Sequence, residues 1–91
     1  DVAAFDAAAL PVTLTVRARR AGDRLQAFGG GERRLKSLLI DAGVPRWDRN
    51  RLPVLEDGRE ILWVVGLRRG AAAPISAQTR QVVEIRLIPL A

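Results

Sequence analysis

Residues 12–43 read VTLTVRARRAGDRLQAFGGGERRLKSLLIDAG, and within them the apolar period changes from two to 3.6. Val12, Leu14 and Val16 alternate with Thr13, Thr15 and Arg17. That pattern predicts a half-buried strand over 12–19, with Arg17 and Arg19 on the face opposite the core. Ala21-Gly22-Asp23-Arg24 then forms a turn in which Gly22 is free to take positive φ. Asp23 is expected to be a structural acceptor there, tying Arg24 or loop N–H groups, with Leu25 and Phe28 anchoring the loop that follows. After Gly29, Gly30 and Gly31, the spacing of Leu35, Leu38, Leu39 and Ala42 predicts a helix over about 32–42, closed by Gly43 at C′.

Outward from this stretch the chain is mostly strand. Residues 1–10 suit either a short first strand or a helical turn capped by Asp6. Val44-Pro45 stops the helix, and RWDRNR (46–51) is a polar turn with Trp47 as its packing anchor. Leu52–Leu55 and Glu60–Val65 flank Asp57-Gly58, a strong hairpin signal, and Gly66 ends the second strand. Residues 69–76 read as a loop, and Gln78–Leu90 as a long final strand. The fold class is α+β: a small, strand-rich, β-sandwich-like and mostly antiparallel domain with one main helix near 32–42. Ninety-one residues suit a single domain over 1–91. The start at Asp1 and the absence of Met suggest a domain excised from a larger protein.

Charge is unevenly placed. Residues 17–51 hold ten basic side chains against four acidic ones, while the rest of the chain is near neutral within a net charge of +5. A basic block in a neutral domain suggests a polyanionic partner, with nucleic acid ahead of an anionic membrane. The apolar runs are too short to span a bilayer. The chain has no Cys and no His, which excludes disulfides, the common zinc sites and Cys- or His-based catalysis. Arg33, Arg34 and Lys36 in a first helical turn would oppose the helix dipole, so a bound anion is expected to compensate there.

The glycine triplet matches neither G-x-G-x-x-G nor G-x-x-x-x-G-K-[ST]. It reads better as clearance for a nucleic-acid backbone than as a nucleotide pocket, with a plain flexible loop as the alternative. The carboxylates form no catalytic pair and no metal cradle. Trp63 reads as core, while Trp47 stands evenly between packing and base stacking. With aromatics at 4% of the chain, recognition of a duplex by phosphates and shape is favoured over single-strand stacking.

Leu14 to Leu55, with the following WVVGL, resembles the C-terminal domain of bacterial tRNA(Ile)-lysidine synthetases. The resemblance rests on an ordered series: Arg17, Arg19, Gly22, Asp23 and Arg24; Gly29 to Gly31; Leu35 and Lys36; Val44, Pro45, Trp47 and Arg49; Pro53; and Trp63 to Gly66. It departs from the family at Ala27, where a proline is usual, and at Arg33 and Arg34, where lysines are common.

The resemblance implies a parent enzyme that attaches lysine to the wobble cytidine of an isoleucine tRNA. ATP and Mg would be held in a separate N-terminal domain bearing S-G-G-x-D-S, and no cofactor in this one. It implies a compact β-sandwich like one in phenylalanyl-tRNA synthetase β chains, and a non-catalytic role in gripping tRNA(Ile), with the acceptor stem as target. It also implies docking to the enzyme's own N-terminal domain, a cytoplasmic location and no membrane partner. Arg17, Arg19, Arg24, Arg33, Arg34, Lys36 and Arg49 would contact phosphates and Gly29 to Gly31 would permit close approach, with Arg20, Arg46 and Arg51 in a second tier. The alternative is a structural domain that docks on its own catalytic domain or forms a homodimer without touching RNA.

Overall fold

A computed structural model of the chain describes residues 1–28 and 30–88. In chain order its elements are β1 (Val2–Asp6), β2 (Thr15–Arg17), β3 (Arg24–Gln26), β4 (Glu32–Arg34), α1 (Leu35–Asp41), β5 (Val54–Glu56), β6 (Ile61–Val64), β7 (Arg68–Arg69) and β8 (Val82–Arg86). Single 3-10 turns lie at Ala7–Ala9 and Arg46–Asp48.

The Asp57-Gly58 hairpin is the centre of the fold. Gly58 takes φ 92°, and the Asp57 carboxylate accepts the N–H groups of Arg59 and Glu60 at 2.8 and 2.9 Å. The strands it joins form the middle of an antiparallel sheet ordered β2-β5-β6-β7. Two smaller antiparallel pairs, β1-β8 and β3-β4, lie outside it.

The central sheet buries both faces. On one, Leu55, Leu62, Trp63 and Val65 pack with Ala3 and Phe5 from β1 and, at the edge, Val83 and Ile85 from β8. This is the sandwich. On the other, Val54, Ile61 and Val64 pack with Leu25 from β3 and Leu35, Leu38 and Leu39 from α1. Double burial is why residues 61–65 read as an unbroken apolar run. The register shifts between Leu55 and Glu56, leaving Leu62 as the extra residue of a bulge. Leu62 and Trp63 therefore both serve the first cluster instead of alternating.

Both readings of the first ten residues are realised in succession. After β1, Asp6 caps the 3-10 turn by accepting the Ala8 N–H at 3.0 Å. The α1 C-terminus closes as expected, with Gly43 at φ 71°, the Gly43 N–H bonded to the Ile40 carbonyl and the Val44 N–H to the Leu39 carbonyl.

Several expectations are corrected. The helix begins at Leu35, not near 32, because Glu32–Arg34 pair with Arg24–Gln26 as strand and the Leu35 N–H goes to the Asp23 carbonyl at 2.9 Å. The strand over 12–19 shortens to Thr15–Arg17, and its facing is inverted: Val16 is half exposed while Arg17 turns inward. A three-residue edge strand is fixed more by the carboxylates that Arg17 finds than by its single valine. Phe28 and Trp47 are not buried anchors, at 59% and 76% exposure. Arg69, expected to open the loop over 69–76, instead completes the short strand Arg68–Arg69. The final strand spans Val82–Arg86, and Pro89 and Leu90, part of its expected range, lie outside the described residues.

Among the described glycines, Gly70 leaves the least room for a side chain. A Cβ there would stand 2.8 Å from Leu25 Cδ1 and 3.2 Å from the Ile61 carbonyl oxygen, where β3 crosses the central sheet. Its N–H bonds the Leu62 carbonyl, and the next N–H bonds Gln26. Gly31, by contrast, has nothing within 4 Å of a built Cβ. Gly70→Ala should cost about 1–3 kcal/mol by overpacking, and Gly31→Ala should stay within about 0.5 kcal/mol. Urea denaturation of the two variants checks this contrast.

Candidate nucleic-acid interface

Arg17 explains how the basic segment is arranged. Its guanidinium donates to both Asp23 carboxylate oxygens, at 2.9 and 3.0 Å, and through Nε to Glu56 at 2.8 Å. Asp23 also accepts the Arg20 N–H at 2.7 Å. The bond to Asp23 outweighs the opposing effect of burial and raises the Arg17 pKa above its usual value, with Glu56 adding to the rise. Burial pushes the Asp23 carboxyl up, but the bonds from Arg17 and the Arg20 N–H prevail and hold it below the usual carboxylate range. Arg17 is thus committed to the fold: its side chain is 11% exposed and faces two carboxylates. Asp23 is the structural acceptor expected, with Arg17 as its partner instead of Arg24.

With the turn tied down, Arg19, Arg34 and Lys36 line one depression of about 280 Å³, together with Ala21, Gly22, Asp23 and Asn50. Arg19 Nε donates to Asn50 Oδ1 at 3.2 Å, which joins the Arg46–Asn50 turn to this site. Asp23 is the only carboxylate in the lining, and Arg17 already holds it. Among the described residues, none of these three cations is ion-paired. Arg20 is exposed in the same β2–β3 turn.

The other expected contacts are dispersed. Arg33 and Arg34 are neighbours on a strand, so they face opposite sides. Arg33 pairs with Asp41 and lines a second depression with Leu38, Ala42, Leu67 and Arg68. Arg24 lies 3.5 Å from Glu32, and Arg51 lies 3.8 Å from Asp48. Arg49 Nε donates to the Val44 carbonyl at 3.0 Å and braces the turn. Arg46 is exposed beside Trp47.

Gly30 and Gly31 lie in the β3–β4 loop, which Gln26 closes by donating to the Gly30 carbonyl. The depression is at the other end of that hairpin, roughly 7–10 Å away at strand spacing. Neither Gly30 nor Gly31 lines the basic depression. Gly29 lies outside the described residues. The helix-start anion site also loses its premise, because Arg33 and Arg34 precede the helix and Asp23 already accepts the Leu35 N–H.

Sequence reasoning missed Asn50, Arg68 and Arg69. Asn50 carried no signal beyond its place in a polar turn. Arg68 and Arg69 were assigned no role because the turn at Gly66, which returns them to the sheet as β7, was read as a strand end. Among the described residues, no group of three or more acidic side chains is placed to hold a metal.

This geometry defines a small α+β domain with a doubly covered antiparallel sheet and a cationic depression beside its helix. A family model described as TilS substrate C-terminal domain matches residues 14–86, and the chain belongs to that family. It is 39% identical over 84 residues to a tRNA(Ile)-lysidine synthase of Geobacter sulfurreducens, covering 91% of this chain and 18% of that protein. It is 48% identical over 69 residues to the tRNA(Ile)-lysidine synthase of Geobacillus kaustophilus, covering 72% of this chain and 15% of that one. The chain thus spans less than a fifth of these relatives. A crystal structure of a TilS C-terminal domain superposes with a TM-score of 0.78 at 40% identity, covering 92% of this chain and 67% of that one.

Arg17→Ala should destabilise the domain by about 2–4 kcal/mol, since it strands two partly buried carboxylates. Because the folded pKa of Asp23 is depressed, its stabilising contribution is present above the ordinary carboxylate pKa of about 4 and is lost as pH falls through the folded value. Denaturation midpoints between pH 7 and pH 2 should therefore fall less steeply in Arg17→Ala than in the parent chain.

Proposed function

We propose that this domain is a non-catalytic tRNA-gripping module of a tRNA(Ile)-lysidine synthase, holding the acceptor stem by its phosphates. Lysine would be joined to the wobble cytidine, with ATP and Mg, in the rest of such an enzyme, and the setting would be the cytoplasm. The observation that carries the reading is the convergence of Arg19, Arg34 and Lys36, unpaired among the described residues, on one depression. Cations held together without carboxylate partners repel one another, and a polyanion relieves that repulsion. Arginine adds bidentate geometry suited to phosphate. Family membership supports tRNA as the polyanion. No helix of the described residues is long and apolar enough to cross a membrane.

Filter binding of a tRNA(Ile) acceptor minihelix across a salt series tests this. Wild-type affinity should fall steeply with salt, and Arg34→Ala with Lys36→Ala should reduce the log–log salt slope by roughly 2. Arg33→Ala, on the opposite side, should change affinity less than about twofold. Equal effects of the two changes would show that the depression is not the contact surface. If the wild-type chain shows no salt-sensitive binding, docking on the enzyme's own catalytic domain, or dimerisation, becomes the better reading.

A further inference from the structure

Trp47 is the most exposed aromatic side chain of the domain at 76%, whereas Trp63 is 4% exposed in the core. Leaving an indole in water forgoes the burial that tryptophan ordinarily gains, so its position calls for a partner.

The turn that carries it is firmly held. The Asp48 N–H bonds the Pro45 carbonyl at 2.9 Å, the Arg51 N–H bonds Asp48 at 3.0 Å, and Arg49 Nε bonds Val44 at 3.0 Å. Val44 is itself fixed to the end of α1 through Leu39. The same turn reaches the cationic depression, because Asn50 accepts from Arg19 and lines that depression with Arg34 and Lys36. An open indole therefore stands three residues from Asn50, which lines the candidate phosphate site, on a turn held by its own hydrogen bonds.

We propose that Trp47 is a stacking platform for a base with an uncovered face, at the edge of the duplex whose phosphates occupy the depression. The proposal rests on the tRNA-gripping reading and adds to it the part of the RNA that is engaged. Inside a continuous helix both faces of every base are covered by neighbours. A surface indole can stack only on an unpaired nucleotide or on a terminal pair. One aromatic ring is too little for a single-strand groove, which uses several in succession. One ring beside a phosphate site suits a junction, where paired RNA meets a free base face.

The test titrates the whole 91-residue chain with three RNAs: a blunt tetraloop hairpin, the same hairpin with a 3′ single-stranded extension, and a long poly(A)·poly(U) duplex whose ends are a negligible fraction of its length. Tryptophan emission and affinity are followed together, and Trp47→Phe isolates the signal of buried Trp63. Emission should be quenched by one or both hairpins and not by the long duplex. Quenching by the extended hairpin alone assigns an unpaired base, and quenching by both assigns a terminal pair.

Trp47→Ala should abolish quenching and weaken the quenching RNA by about 5- to 100-fold, while the long duplex changes less than about twofold and Trp47→Phe retains most of the affinity. Equal binding of all three RNAs by Trp47→Ala and wild type, or an equal loss on all three, overturns the proposal. If Arg34→Ala with Lys36→Ala weakens binding while Trp47→Ala does not, stacking alone fails and the gripping reading stands. If the wild-type chain binds none of the RNAs, both fail.

Discussion

The guanidinium of Arg17 ties the β2–β3 turn to the central sheet by charge-assisted hydrogen bonds. Through Glu56 it holds the central sheet, and through Asp23 it holds the β2–β3 turn. The Asp23 backbone carbonyl receives the first N–H of α1. Charge-assisted bonds of this kind contribute about 1.5–3 kcal/mol each when partly shielded. Their larger consequence is placement. By engaging Asp23 fully, Arg17 removes the one carboxylate that could neutralise Arg19, Arg34 and Lys36. One arginine is spent so that the others stay available.

A second cation serves the opposite face. Arg69 donates to the carbonyls of Ala4 and Ala73 at 2.9 and 2.8 Å, and also to that of Gly70. Its guanidinium lies 4.2 Å from the Phe5 ring centre and 5.3 Å from that of Phe28. Burial lowers its pKa, and carbonyl dipoles and ring faces supply what a carboxylate would otherwise provide. Ala73 adopts a left-handed φ of 49°, and its carbonyl is held from two sides, by Arg69 and by the Asp6 N–H. The two core clusters thus each have an arginine at their margin. One organises the cationic depression, and the other ties the outer β1–β8 pair to the central sheet.

Much of the fold was legible in the sequence wherever one force decided the outcome. The Asp57-Gly58 hairpin, the Gly43 helix end and the buried Trp63 follow from local turn chemistry and apolar content. Other expectations failed where tertiary partners overrode the local pattern. Arg17 was expected to face solvent because valines alternate with it, yet Asp23, six residues on, and Glu56, on the neighbouring strand, draw it inward. Residues 32–34 were read as helix because the leucine period starts just beyond them, but β3 offers them a strand partner. The basic segment was recognised as the candidate surface, and its composition could not divide it. The alternation of Arg33 with Arg34, and the hairpin's length between Gly31 and Gly22, separate into different regions what looked continuous as a string. The resemblance to tRNA(Ile)-lysidine synthetases was legible because it depends on ordered motifs, whichever way each side chain turns.

The α+β scaffold presents a small cationic depression and, on the turn that supplies Asn50 to it, an open indole. The most direct measurement is the change in backbone amide NMR shifts when the chain is titrated with a tRNA(Ile) acceptor minihelix at moderate salt. The account predicts that the largest shifts fall on Arg19, Gly22, Arg34, Lys36 and Asn50, with Gly31 and the β8 strand unmoved. Shifts concentrated around Phe28, Ile75 and β8, with the depression silent, would contradict it.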